Sequence, residues 1–270
     1  MNNRFGIATC FYETSSPQLW AAAAEAGFTD GEINTDKWLS KEEMLAVSQK
    51  FYDDLKEGGI QATSFHLPFG HQWDVSSQDA ALREKVLPQL SDMLRWCGER
   101  GISIAVLHAS YEPIPEEDRQ ERLQIAAESI GILAKAGKEY GVQVAVEDLP
   151  RTCLGNCADD LLVLTGQGET AGVCFDVNHL LKETHREFME KVGNLVITTH
   201  LSDYDKVDER HWLPGEGCID WKELREMFEA VGYTGRYLFE LGNKAAPSLG
   251  RPFTPQELMD HFKNHFFAGD

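Results

Sequence analysis

The chain has 270 residues, 42% of them hydrophobic, enough to bury one large core. Its 44 acidic against 25 basic residues leave a formal charge of -19, which repels polyphosphates unless basic side chains gather on one face, so no nucleic acid is expected as a partner. No stretch approaches the roughly 20 apolar residues that span a bilayer, and the opening MNNRFGIATCFYE lacks the charged-then-apolar layout of an export signal; a cytoplasmic protein with no membrane partner is expected.

Short apolar runs alternate with longer amphipathic stretches along the whole chain. In order, strand 4-10 (RFGIATC) precedes helix 17-26, strand 29-33 (TDGEI) helix 41-57, and strand 60-66 (IQATSFH) helix 77-99. Strand 102-108 (ISIAVLH) precedes helix 116-139, strand 142-147 (VQVAVE) helix 158-165, and strand 171-176 (AGVCFD) helix 183-192. Strand 195-201 (LVITTHL) then precedes helix 220-231, and strand 236-241 (RYLFEL) helix 255-266. Ser40, Ser77 and Asp220 are the expected caps of their helices. AEAGF, KEGGI, GERGI, KEYGV and EAVGY repeat one junction, in which a glycine ends a helix in a left-handed turn and an apolar residue opens the next strand. Parallel strands need right-handed helical crossovers, so eight such units predict one closed (β/α)8 barrel spanning residues 1-270 as a single domain; such barrels run to about 250 residues. Six scattered cysteines read as reduced thiols, and Cys153 and Cys157 in CLGNC lack the second pair that a structural zinc site needs.

Six of these strands finish on or beside a residue that binds metal or moves protons: His66, His108, Glu147, Asp176, His200 and Glu240. In a closed barrel they converge on the C-terminal mouth. Three carboxylates gathered at the ends of apolar strands repel one another and lose hydration, and strand-end arginines and lysines are scarce, so the cluster implies a cation. Mixed carboxylate and imidazole donors suit Mn, Zn, Co, Fe or Mg. A substrate pocket is expected at that mouth, with the metal ligands at its base. Glu32, near the end of the second strand, is expected to face the same pocket, and Trp212, beside the PGEG turn, is the aromatic best placed to stack on a substrate. His71, His185, His261 and His265 fall in loops or helices away from the strand ends and are left out.

FHLPFG, VLHAS, VEDLPRTCLGN, CFDVNH, THLSDYDKVDERHWLPGEGCIDW and YLFEL, in this order and each at a strand end, resemble the xylose isomerase-like barrel superfamily of sugar isomerases, epimerases and endonuclease IV. The resemblance covers the whole chain. Through the ketose epimerases it implies one divalent ion on Glu147, Asp176, His200 and Glu240, with Glu147 and Glu240 also the acid-base pair that enolises a keto-sugar. It further implies His66 and His108 as lining of the sugar pocket, His179 as a substrate-oxygen ligand, His211 in place of a substrate-binding arginine, a carbohydrate substrate, and a homo-oligomer. The ion would acidify the proton on the carbon between carbonyl and hydroxyl and stabilise the enediolate. Two positions depart from that pattern: Cys153 stands where such epimerases often place a glutamate, and Arg151 is unassigned, a candidate contact for a hydroxyl or phosphate.

Endonuclease IV, from the same superfamily, implies three zinc ions on His66, His108, Glu147, Asp176, His179, His200, His211, Glu240 and Glu209. Glutamate at 209 stands where that enzyme carries aspartate, and the extra methylene moves the carboxylate by roughly an ångström. The acidic loops YEPIPEED, SDYDKVDE and PGEGCID also oppose a DNA grip. The epimerase reading is therefore preferred. A lyase or dehydratase acting on a keto-sugar or inosose, and a sugar-binding barrel without chemistry, are the remaining alternatives.

Overall fold

The computed structural model describes residues 4–35 and 38–268. Eight strands alternate with eight helices: β1 (Arg4–Ala8), α1 (Pro17–Glu25), β2 (Asp30–Asn34), α2 (Lys41–Glu57), β3 (Gln61–His66), α3 (Ala80–Glu99), β4 (Ile104–Leu107) and α4 (Glu116–Glu139). The second half continues with β5 (Gln143–Glu147), α5 (Ala158–Leu164), β6 (Gly172–Asp176), α6 (His185–Val192), β7 (Val196–His200), α7 (Trp221–Ala230), β8 (Arg236–Phe239) and α8 (Pro255–Phe266). All strands are parallel neighbours in the order β7-β6-β5-β4-β3-β2-β1-β8. The ring closes at a narrow seam. Leu201 bridges Phe239, its N–H donates to Leu238 O at 2.8 Å, and the Thr199 hydroxyl links the strands by donating to Arg236 O and accepting from Leu238 N–H. The predicted (β/α)8 barrel is the fold observed.

The glycine junctions behave as expected: the last glycine of all five adopts positive φ, from 99° at Gly27 to 67° at Gly232, a region where a β-carbon is strained. Two local predictions need correction. The first strand stops at Ala8 because Thr9–Phe11 turns into a short 3-10 segment. Helix α3 begins at Ala80 under Asp79, whose side chain accepts from Ala81 N–H, whereas Ser77 caps only the turn before it by accepting from Asp79 N–H. Ser40 and Asp220 cap α2 and α7 as predicted.

Strand periodicity sorts side chains between two cores. Val144, Val146, Val173 and Phe175 face the helices in the main cluster, while Ile104, Val106, Ala145 and Cys174 form a small cluster inside the barrel. Alternation then carries the interior face of β4, β5 and β6 directly to His108, Glu147 and Asp176. Two register shifts extend this to neighbouring strands. One between Val173 and Cys174 pairs Asp176 with His200, and one between Gly31 and Glu32 pairs Glu32 with Ser64 and Asn34 with His66. Each bulge re-phases its strand so that the polar residue enters the lumen. Among the described residues, no helix is long and apolar enough to cross a membrane.

Candidate active site and metal centre

The mouth of the barrel surrounds a cavity of about 520 Å³. Glu147 lies at its base, fully buried, and organises three imidazoles: His200 Nδ1 is 2.8 Å from Oε1, and His66 Nε2 and His108 Nε2 are 3.2 and 2.9 Å from Oε2. Glu240 Oε2 is 3.0 Å from the same His200 nitrogen. Asp176 Oδ2 is 4.0 Å from His200 Nδ1 and 3.5 Å from His179 Nε2, and although buried it accepts no hydrogen bond. Glu147, Asp176, His200 and Glu240 each offer one donor atom, and these atoms all lie within 4.8 Å of one another.

Backbone carbonyls orient the histidines. His66 Nδ1 lies 2.9 Å from Leu67 O, His179 Nδ1 2.8 Å from Asp148 O, and His211 Nδ1 3.1 Å from Glu240 O. A carbonyl only accepts, so each Nδ1 carries a proton and each Nε2 is turned toward the cavity. His200 is reversed: its Nε2 faces Glu32 Oε1 at 2.9 Å, off the line of a good hydrogen bond, and its Nδ1 faces the carboxylate cluster. A carboxylate behind an imidazole whose other nitrogen faces a group of acids is the arrangement that tunes a metal-binding histidine.

The charges agree with this geometry. Burial disfavours the ionised form of Glu147, yet the surrounding His200 and His108 hold its carboxyl well below the usual range. Glu240 is likewise lowered against burial, chiefly by His200. Burial raises Asp176, against the lowering influence of His179, His211 and His200. Burial lowers His108, whereas His66, also penalised by burial, is carried up to about 9 by its bond to Glu147 and the nearby acids. The cluster thus holds negative charge by drawing protons onto imidazoles, which a divalent ion would replace.

His66, His108, His179 and His211 all line the cavity with Glu147 and Glu240, as predicted. Two expected substrate contacts do not. Glu32 is fully buried behind His200, because it sits one layer below the last interior position of β2, held by Asn34. Trp212 is drawn into an antiparallel bridge with Asp203, with the Arg210 guanidinium 5.9 Å from its ring, and the cavity wall is formed instead by its neighbour His211.

Asn34 and Asp148 escaped the sequence reading. The Asn34 amide donates to Glu240 Oε1 at 3.0 Å; its place at the end of β2 was a usable signal. Asp148 Oδ1 accepts from Asp176 N–H at 2.7 Å and is fully buried beside Glu147, where nothing in VEDLP separates its role from an ordinary loop acid. Phe69 stacks on His108, ring centroids 4.2 Å apart, and adds an apolar wall.

The fold and the site together define a (β/α)8 barrel with a buried carboxylate-imidazole centre at its C-terminal mouth. Residues 20–265 match the family described as Xylose isomerase-like TIM barrel, and the chain belongs to that family. An uncharacterized protein of Methanocaldococcus jannaschii is 25% identical over 247 residues, covering 87% of this chain and 82% of that one. Among solved structures, a D-tagatose 3-epimerase-like protein superposes with a TM-score of 0.76 at 22% identity, covering 98% of this chain and 97% of that one. A D-psicose 3-epimerase crystallised in the presence of D-fructose gives 0.77 at 18% identity, covering 97% and 99%. At such identities these likenesses establish the shared fold.

Proposed function

We propose that this protein is a divalent-metal-dependent sugar isomerase or epimerase acting on a keto-sugar or related polyol. One observation carries the reading: four donors at the ends of four strands, Glu147, Asp176, His200 and Glu240, converge within 4.8 Å at the base of a cavity, and one of them, Asp176 Oδ2, is buried with no hydrogen bond of its own. Two buried carboxylates and one partly buried one around a single imidazole fit a hard or borderline cation. The D-tagatose 3-epimerase-like protein and the D-psicose 3-epimerase that share the fold support the same class. When bound, the ion supplies Lewis acidity to a substrate carbonyl and its neighbouring hydroxyl. Glu147 and Glu240 both reach His200 Nδ1, from different strands, and their carboxylates are the proton carriers: one removes the proton beside the carbonyl and the other returns it. Asn34 fixes the rotamer of Glu240, while His66, His108, His179 and His211 present ring nitrogens to sugar oxygens.

A second reading has specific support. His66, His108 and Glu147 form one further donor group and Asp176, His179 and His211 another, with Glu209 Oε2 at 3.2 Å from His179 Nε2, as a trinuclear phosphodiesterase would need. Arg151 Nη2, 2.9 Å from Glu209 Oε1, places a fixed positive charge beside the third position and weighs against a cation there. Elemental analysis joined to a keto-sugar screen in deuterium oxide separates the readings. About one ion per chain with deuterium entering beside the carbonyl supports the isomerase; about three zinc ions and no exchange on any sugar would replace it with the nuclease.

A further inference from the structure

Arg151 is the one arginine or lysine among the described residues lining the cavity, and its backbone takes φ of 53°, a left-handed conformation uncommon for a residue with a β-carbon. Its guanidinium is engaged on every nitrogen. Nε donates to Glu112 Oε1 at 2.7 Å, Nη1 to Asp208 Oδ1 at 2.5 Å and Nη2 to Glu209 Oε1 at 2.9 Å, with Nη2 also 2.6 Å from Glu112 Oε1. These partners arrive from two other loops, after β4 and after β7, while Arg151 follows β5. One positive charge therefore meets three negative ones at the rim.

Resting on the isomerase reading, we propose that Arg151 is a specificity-determining residue that acts by being withheld. Tied to Glu112, Asp208 and Glu209, it gives no free cation to an incoming anion, and the surplus carboxylates repel one, so the site accepts uncharged polyols and rejects phosphate esters and sugar acids. A phosphate entering the cavity would have to displace at least one of these carboxylates from the guanidinium fork and leave it facing another acid. Of the other cavity side chains with ring nitrogens, His66 and His108 already face Glu147, and His179 faces Asp176 and Glu209. The same clamp holds the three loops around the cavity.

Calorimetric titration of the metal-loaded full chain with inorganic phosphate tests this. Arg151→Gly removes the guanidinium while suiting the left-handed backbone, and Arg151→Lys keeps a charge without the fork. The wild type and both variants are expected to bind phosphate alike, within about twofold, through whatever the metal contributes. Neutralising the captors in Glu112→Gln/Asp208→Asn is expected to raise affinity at least tenfold, and adding Arg151→Gly to that pair to abolish the gain. Wild type binding tenfold more tightly than Arg151→Gly would overturn the proposal, as would a double variant with no gain. The readout is anion binding, so failure of the isomerase reading shows separately, as absent hydrogen exchange on neutral keto-sugars with this phosphate pattern intact.

Discussion

Two layers of one strand put carboxylates to opposite uses. Asp30 and Glu32 both project into the barrel from β2, separated by Gly31, where an added β-carbon would meet Leu55 of α2 and Ile60 just before β3 at 3.1–3.2 Å. Asp30, at the closed N-terminal end, is satisfied: Arg4 donates from two nitrogens at 3.2 and 2.6 Å, Arg236 Nε at 2.6 Å and the Thr29 hydroxyl at 2.7 Å. Glu32, one layer up, has no hydrogen-bond donor of good geometry and meets only His200. The lower layer is a closed ion network that joins β1, β2 and β8; the upper layer is left short of positive charge. A buried acid kept without a partner costs stability, and such sites are where a fold keeps function.

The contrast can be broken or sharpened by substitution, and the largest effect is expected at the top. Glu240→Gln should lower kcat by about 10²–10⁴-fold, the range for one acid-base group, with the melting temperature little changed; activity equal to wild type would remove Glu240 from proton transfer. At the bottom, Asp30→Asn should cost about 3 kcal/mol, because Arg236 loses its partner with only 16% of its side chain exposed, yet leave the turnover of the folded protein within about twofold. Denaturant melts with parallel kinetics check both halves, and a catalytic loss rivalling that of Glu240→Gln would erase the distinction between the ends.

A smaller change is expected from Asp176→Asn. After chelation this variant should melt above the wild type, by about 2–4 °C for each kcal/mol of relieved repulsion, and should lose most of the rise that added metal brings. A lower melting temperature would mean the top layer is already satisfied without a cation. The subtlest test is pH. His66 is raised from 6.5 to about 9, so the stability it contributes to the chelated chain is complete below 6.5 and is lost as pH rises through 9. His66→Gln should flatten that decline in melts taken across the window, and an unchanged slope would show that His66 folds as the neutral ring.

The two layers also differ in how legible they were. Glu147, Asp176, His200 and Glu240 stood out because each ends an apolar run, and period-two alternation carries such an end into the lumen without knowledge of its neighbours. Glu32 followed the same rule and was misassigned, since its height in the barrel depends on a bulge between β2 and β3 that apolar patterning does not record. Trp212 and Arg151 lie in loops, where spacing carries little geometry; their partners Asp203, Glu112, Asp208 and Glu209 are set by which loops meet.

By itself the sequence determined the eight-unit barrel, its glycine junctions and the acids and imidazoles at its mouth, because periodicity, capping and strand-end position are local properties of a chain. Only the tertiary structure decided that Glu32 backs His200, that Asn34 holds Glu240 and that Arg151 is already spent on three carboxylates. Those contacts join residues up to 206 positions apart, and hydrogen bonding acts over distances that only the closed barrel brings about.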